Sequence, residues 1–187
     1  MRRVYKVADF AFSVALAGDR DPDRYLKSFA PFKAEGCPKE EELFEFAEDG
    51  SLPEESDMPF LEEDRNDMGH TRLYRVPTGY RVELRYQEAG LPHIVDADAA
   101  FGHVRALLRW DDRYVATALT SMLRIVFAQS VLVHDAVSLH ASVVTNGGQA
   151  FLFMGKSGTG KSTHSRMWLE NVPGTELLND DNPIVRI

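Results

Sequence analysis

Between residues 155 and 163 the chain reads Gly155-Lys156-Ser157-Gly158-Thr159-Gly160-Lys161-Ser162-Thr163. This fills every position of the pattern G-x-x-x-x-G-K-[ST]. At average residue usage that pattern arises by accident in a chain of this size only about once in a hundred cases. The residue types suit capture of a polyphosphate. Gly155, Gly158 and Gly160 permit backbone conformations that side chains resist, and they let the main chain approach phosphate oxygens closely. Consecutive N–H groups then form an anion-binding nest, and a helix starting there adds the positive end of its dipole. Lys161 supplies a point charge for β and γ phosphates, and Ser162 a hydroxyl for Mg²⁺. A glycine-rich turn that binds nothing is the alternative.

A nucleotide site also needs a carboxylate for its metal. Glu176-Leu177-Leu178-Asn179-Asp180-Asp181 ends a short apolar run in an acidic pair. Asp180 stands 19 residues after Lys161, room for a helix, a Pro173-Gly174 turn and a returning strand. Two adjacent carboxylates can divide labour, one on Mg²⁺ and one accepting a proton from an attacking hydroxyl. A plain Asn-Asp-Asp-Asn turn is the alternative. His140 lies on the strand expected before the loop's own strand, where it could reach a phosphate or orient an aspartate; a structural histidine is the other reading. His134 stands beside Asp135 at a helix end, where it serves as a cap. Neither histidine has the Cys/His partners of a zinc site. Arg166 reads as a surface arginine, with service to phosphate or substrate as the alternative, and His164 and Trp168, one turn apart, as packing partners.

The elements that must position these residues are legible as strand, loop and helix. Residues 150–154 form an apolar strand, and residues 163–170 hold no Gly or Pro and can be helical. Residues 137–145 and 150–154 flank Asn146-Gly147-Gly148, which predicts a β-hairpin. Upstream, Asp111 or Asp112 can cap a helix running to about Val133. Its stripe of Val115, Leu119, Met122 and Val126, with Leu123 and Phe127 beside it, is a core-packing pattern. The apolar stretch 114–133 is as long as a membrane span, but Arg124 near its middle favours a buried helix.

The first half carries no comparable motif. Residues 71–86 alternate with period two around Pro77-Thr78-Gly79, a hairpin signal, with the arginines on an exposed face. Residues 1–17 read as one or two strands, although the basic start and the apolar run 10–17 also mimic an export signal. Residues 35–67 hold 14 acidic and two basic residues. That is a solvated, loop-rich face with Leu43, Phe44, Phe46, Phe60 and Leu61 as buried anchors; an acidic docking surface is the alternative. Over all 187 residues the formal charge is −8, which argues against broad nucleic-acid binding. The single cysteine, Cys37, excludes an intrachain disulfide and fits a reducing, cytoplasmic compartment.

Three features together resemble the group of P-loop proteins that contains HPr kinase/phosphorylase and ATP-type phosphoenolpyruvate carboxykinase. They are Leu139-His140-Ala141-Ser142, the loop 155–163, and Asp180-Asp181, so the resemblance spans residues 138–187, about a quarter of the chain. The resemblance implies an α/β fold whose mixed sheet carries the P-loop, preceded by an α+β N-terminal region; the expected domains are 1–110 and 111–187. It implies that the loop and Lys161 hold ATP phosphates, that Ser162 and Asp181 contact Mg²⁺, and that Asp180 is the base toward a substrate hydroxyl with His140 assisting. Ala141 stands where HPr kinases commonly carry a glycine, and their downstream acidic metal ligand and signature loop have no counterpart.

The activity this implies is Mg²⁺-dependent phosphoryl transfer from ATP to a hydroxyl of a protein or small molecule. A non-catalytic nucleotide-binding or scaffolding module is the alternative. A carboxykinase reaction ranks third, and no Asn-Lys-x-Asp motif points to guanine. Expected partners are the nucleotide and an acceptor, with a second copy of the chain left open and neither nucleic acid nor membrane expected. Only 26 residues follow Lys161, and Val185 and Ile187 read as a strand cut short, so the core is expected to be the incomplete front portion of a longer protein.

Overall fold

In the computed structural model of the chain, residues 1–53, 57–66, 69–87 and 90–186 are described. It divides into two compact units, Met1–Val133 and His134–Ile187.

The first unit begins with a hairpin of β1 (Arg2–Val7) and β2 (Phe10–Ala15). Ala8 and Asp9 turn the chain in left-handed conformations, φ 49° and 68°, a twist that matches the flanking strands. The apolar run that mimics an export signal is therefore β2, with Phe12 and Val14 fully buried. A short helix α1 (Pro22–Tyr25), a 3-10 turn (Lys27–Phe32) and β3 (Lys33–Ala34) lead to β4 (Glu42–Glu48). Then come β5 (Phe60–Asn66), β6 (Gly69–Val76), β7 (Gly79–Arg85), β8 (His93–Asp98) and β9 (His103–Leu107). They assemble one nine-stranded sheet in the order β3-β1-β2-β4-β9-β8-β7-β6-β5. The sheet is mixed because β4 runs parallel to both β2 and β9 while the remaining pairs are antiparallel.

Helix α2 (Val115–Ser130) packs against β4, β7 and β8. Leu119, Met122, Leu123 and Val126 are buried along the expected stripe. Phe127 meets Phe12 edge-on at 5.6 Å, and Phe12 stacks on Phe44 at 4.9 Å. The boundary between units thus falls after residue 133, not near 110: the apolar face of α2 is part of the first unit's core. The stretch Val115–His134 is long and apolar enough to cross a membrane, and half of it is buried inside the protein.

Phe60 and Leu61 are exposed rather than anchored, because their strand lies at the sheet's end beyond β6, while Phe44 and Phe46 on central β4 are buried. Arg81 is buried, not solvated, because Asp96 faces it across the β7–β8 ladder.

The second unit holds β10 (Ala136–Ser138), β11 (Ala141–Asn146), β12 (Gln149–Met154), α3 (Lys161–Asn171), β13 (Glu176–Asn179) and β14 (Ile184–Arg186). Asn146 pairs with Gln149 across Gly147-Gly148, whose φ values of 58° and 77° favour glycine. The expected single strand over 137–145 is broken at Leu139-His140. Below the break β10 pairs with β14; above it β11 pairs with β12 and β13. The break falls where the chain changes partners: the Leu139 amide donates to Pro183 O and the Ala141 amide to Asp181 O. Val185 lies in β14, and Ile187 lies outside the described residues. The whole is a mixed α/β chain rich in strand.

Candidate functional site: a glycine loop and a carboxylate pair

β12 and β13 are both antiparallel to β11, so they run parallel to each other on its two sides. Ala141 pairs with Met154, the last residue before the loop, and Val143 pairs with Asn179, the last before the acidic pair. Strand polarity alone therefore delivers Gly155, Asp180 and the start of β11 to one edge of this small sheet.

The loop is neither strand nor helix. It leaves β12 at Gly155 and enters α3 at Lys161. Gly158 and Gly160 are left-handed, at φ 79° and 92°. Gly160 is also the residue that caps α3, and no side chain accepts the helix's first amides. Those amides are left for an external acceptor, at the end where the dipole favours an anion. The Thr159 hydroxyl donates to Lys156 O at 2.8 Å and the Thr159 amide to the same oxygen at 3.3 Å. The Lys161 ammonium folds back over the loop, donating to Gly155 O at 2.9 Å and Lys156 O at 3.3 Å. Residues 155–160, Ser162 and Thr163 are all exposed.

Helix α3 is fixed to the sheet by rings. Trp168 lies 4.8 Å from Phe151 and 5.7 Å from Phe153, and His164 meets Phe153 edge-on at 4.5 Å. His164 and Trp168 therefore both seat on β12, as anchors of the helix. Arg166 is exposed.

The carboxylates follow directly on β13. The Asp181 amide donates to Asn179 Oδ1 at 2.9 Å, a local turn of the kind asparagine favours, and the Ala141 amide reaches Asp181 O at 3.1 Å. Asp180 Oδ1 accepts a hydrogen bond of 2.6 Å from Ser142 Oγ. Ser142 in turn is hydrogen-bonded to Ser165 Oγ of α3. Both serines are buried, 0% and 1% exposed. Sequence reasoning quoted Ser142 beside His140 without giving it a role and passed over Ser165. The available signal was a lone hydroxyl inside the apolar run Ala141-Ser142-Val143-Val144, which must find a partner when buried. His140 sits in the break between β10 and β11, exposed, at the same edge as the loop.

No group of three or more His, Cys, Asp or Glu able to hold a metal occurs among the described residues. A hydroxyl such as that of Ser162 and a carboxylate such as that of Asp181 are donor types that suit Mg²⁺, which keeps several waters and takes only one or two carboxylates beside substrate phosphates. Cavities of about 470 Å³ and 250 Å³ are lined by residues of the first unit, among them Arg65 and His70 in one and Arg109 and Asp112 in the other. The loop 155–160 lines neither of these.

No protein-family model matches this chain, and no curated protein matches it.

Proposed function

We propose that the second unit binds the phosphates of ATP with Mg²⁺ and transfers the γ-phosphoryl group to a hydroxyl of a protein or small molecule, as in HPr-kinase-like phosphotransferases. The observation that carries this reading is the shared edge. A glycine loop with left-handed Gly158 and Gly160 opens onto a helix start that no side chain caps, and Asp180-Asp181 follow the strand parallel to the loop's own.

In this reading the amides of residues 155–163 and the Lys161 ammonium hold the phosphate oxygens, replacing the carbonyls that Lys161 now contacts. Ser162 and Asp181 hold the Mg²⁺, which when bound neutralises charge on the phosphates. Asp180 accepts the proton of the attacking hydroxyl. His140, exposed at the same edge, assists at the phosphates. Positioning and charge neutralisation supply most of the rate, since phosphoryl transfer asks little covalent chemistry of the protein.

The test is a titration of ATP with Mg²⁺ against the wild type and Lys161→Ala, followed by an assay of γ-phosphoryl transfer or ATP hydrolysis with Asp180→Asn. The reading expects weaker binding in the first variant and lost turnover with retained binding in the second. Equal affinity in wild type and Lys161→Ala would reject the phosphate loop. Tight binding with no turnover in the wild type would favour a nucleotide-binding accessory module instead.

A further inference from the structure

We propose that Ser142 and Ser165 are positioning residues that aim Asp180 at the reacting hydroxyl, through a buried chain of hydroxyls running from the phosphate-loop helix to the carboxylate. This inference rests on the nucleotide reading above and adds to it the device that orients its base.

The direction of the chain follows from counting protons. An ionised carboxylate only accepts, so at 2.6 Å the single hydroxyl proton of Ser142 goes to Asp180 Oδ1. The Ser165 proton then points to Ser142 Oγ, in preference to its other acceptor, Lys161 O, at 3.4 Å. The chain therefore reads Ser165 to Ser142 to Asp180. Burial makes it binding: a hydroxyl at either site would be costly without its partner.

Asp180 itself is exposed at the end of a strand, where a carboxylate ordinarily samples several rotamers. Here Oδ1 is committed to Ser142, and Oδ2 carries no hydrogen-bond partner among the described residues. Oδ2 is the oxygen left to work. In the transfer, the acceptor hydroxyl oxygen bonds to the γ phosphorus as the bond from phosphorus to the β–γ bridging oxygen breaks. ADP leaves with that electron pair, and the hydroxyl proton passes to Asp180 Oδ2 and then to solvent. Ser165 lies one helical turn after Lys161, so the helix that begins at the phosphates also sets the base.

The experiment uses the full chain, ATP with Mg²⁺, and water in place of the unidentified acceptor. ATP affinity and the kcat for hydrolysis are measured for Ser142→Ala, Ser142→Thr, Ser165→Ala, Asp180→Asn and the Ser142→Ala/Asp180→Asn pair, with circular dichroism confirming each fold. Ser142→Ala is expected to lower kcat about tenfold while ATP affinity stays within about twofold. Ser142→Thr, which restores the hydroxyl, recovers the rate to within about threefold of wild type. Adding Ser142→Ala to Asp180→Asn causes no further loss, because both act through one carboxylate. Should Ser142→Ala not fold, Ser165→Ala carries the test with a smaller kcat loss at unchanged affinity. A wild-type rate in Ser142→Ala, a parallel loss of affinity and rate, or a multiplied defect in the pair overturns the proposal. Wild type that binds ATP without hydrolysing it also overturns the proposal, whereas wild type that fails to bind ATP overturns the nucleotide reading beneath it.

Discussion

Gly155 and Thr159 face each other across the loop so closely that a Cβ on Gly155 would lie 2.7 Å from Thr159 Oγ1. That approach is tighter than any ordinary contact, and the Thr159 hydroxyl is already engaged with Lys156 O. Gly155→Ala must therefore push the loop apart. ATP affinity is expected to fall by about tenfold or more, equivalent to about 1.4 kcal/mol. The pair Gly155→Ala/Thr159→Ala removes the clashing oxygen and should recover most of that loss. Calorimetric titration of both proteins decides the matter; a single variant that binds as wild type would show the close approach to be irrelevant.

Arg81 and Asp96 form a two-pronged ion pair across β7 and β8, with Nε to Oδ1 at 2.6 Å, while Arg81 also donates to Pro53 O at 3.0 Å. The arginine side chain is only 5% exposed and the aspartate 16%. Removing one partner leaves a charge stranded at low dielectric, so Arg81→Ala should destabilise the first unit by about 3 kcal/mol. Arg81→Ala/Asp96→Ala should cost less than the sum of the single variants, since neither charge remains unpaired. Denaturant unfolding of the three variants measures this coupling.

Stability should fall on mild acidification. Burial pushes the His93 imidazole below its ordinary 6.5, although Asp112 beside it pulls the other way. The ring is fully buried, with Nδ1 accepting from the Arg109 amide at 3.2 Å and Nε2 facing Asp112 at 3.3 Å. The unfolded chain takes up a proton near pH 6.5 while the native ring resists it, so stability is full above that pH and declines as pH falls toward the native value. Asp112 adds loss at lower pH: despite its burial, bonds from the Tyr114 amide, His93 and Gln87 hold it below its ordinary range. Melting temperatures of wild type and His93→Gln between pH 7.5 and about pH 5 test this. The variant should lose the slope just below pH 6.5; an unchanged slope would assign it to other groups.

Much of the local structure around the loop was legible because its signals are local. The loop motif, the Asn146 hairpin and the Pro173-Gly174 turn each follow from a few adjacent residues. What escaped depends on partners distant in sequence. The apolar face of α2 says only that something covers it, not that β4, β7 and β8 of the first sheet do. Residues 137–145 read as one strand because nothing local marks the change of partner at His140. Ser142 could bond to any neighbour, and only the antiparallel pairing of β11 with β13, which sets Val143 opposite Asn179, brings Asp180 to it.

Whether main-chain amides of residues 155–163 with Lys161 seat a polyphosphate is decided by following backbone amide NMR signals while ATP and Mg²⁺ are added to the wild-type chain. Saturable shifts are expected at residues 155–163 and at Asp180-Asp181, abolished by Lys161→Ala. Loop amides that stay still while signals elsewhere move, or no movement at all at millimolar ATP, would contradict that seating.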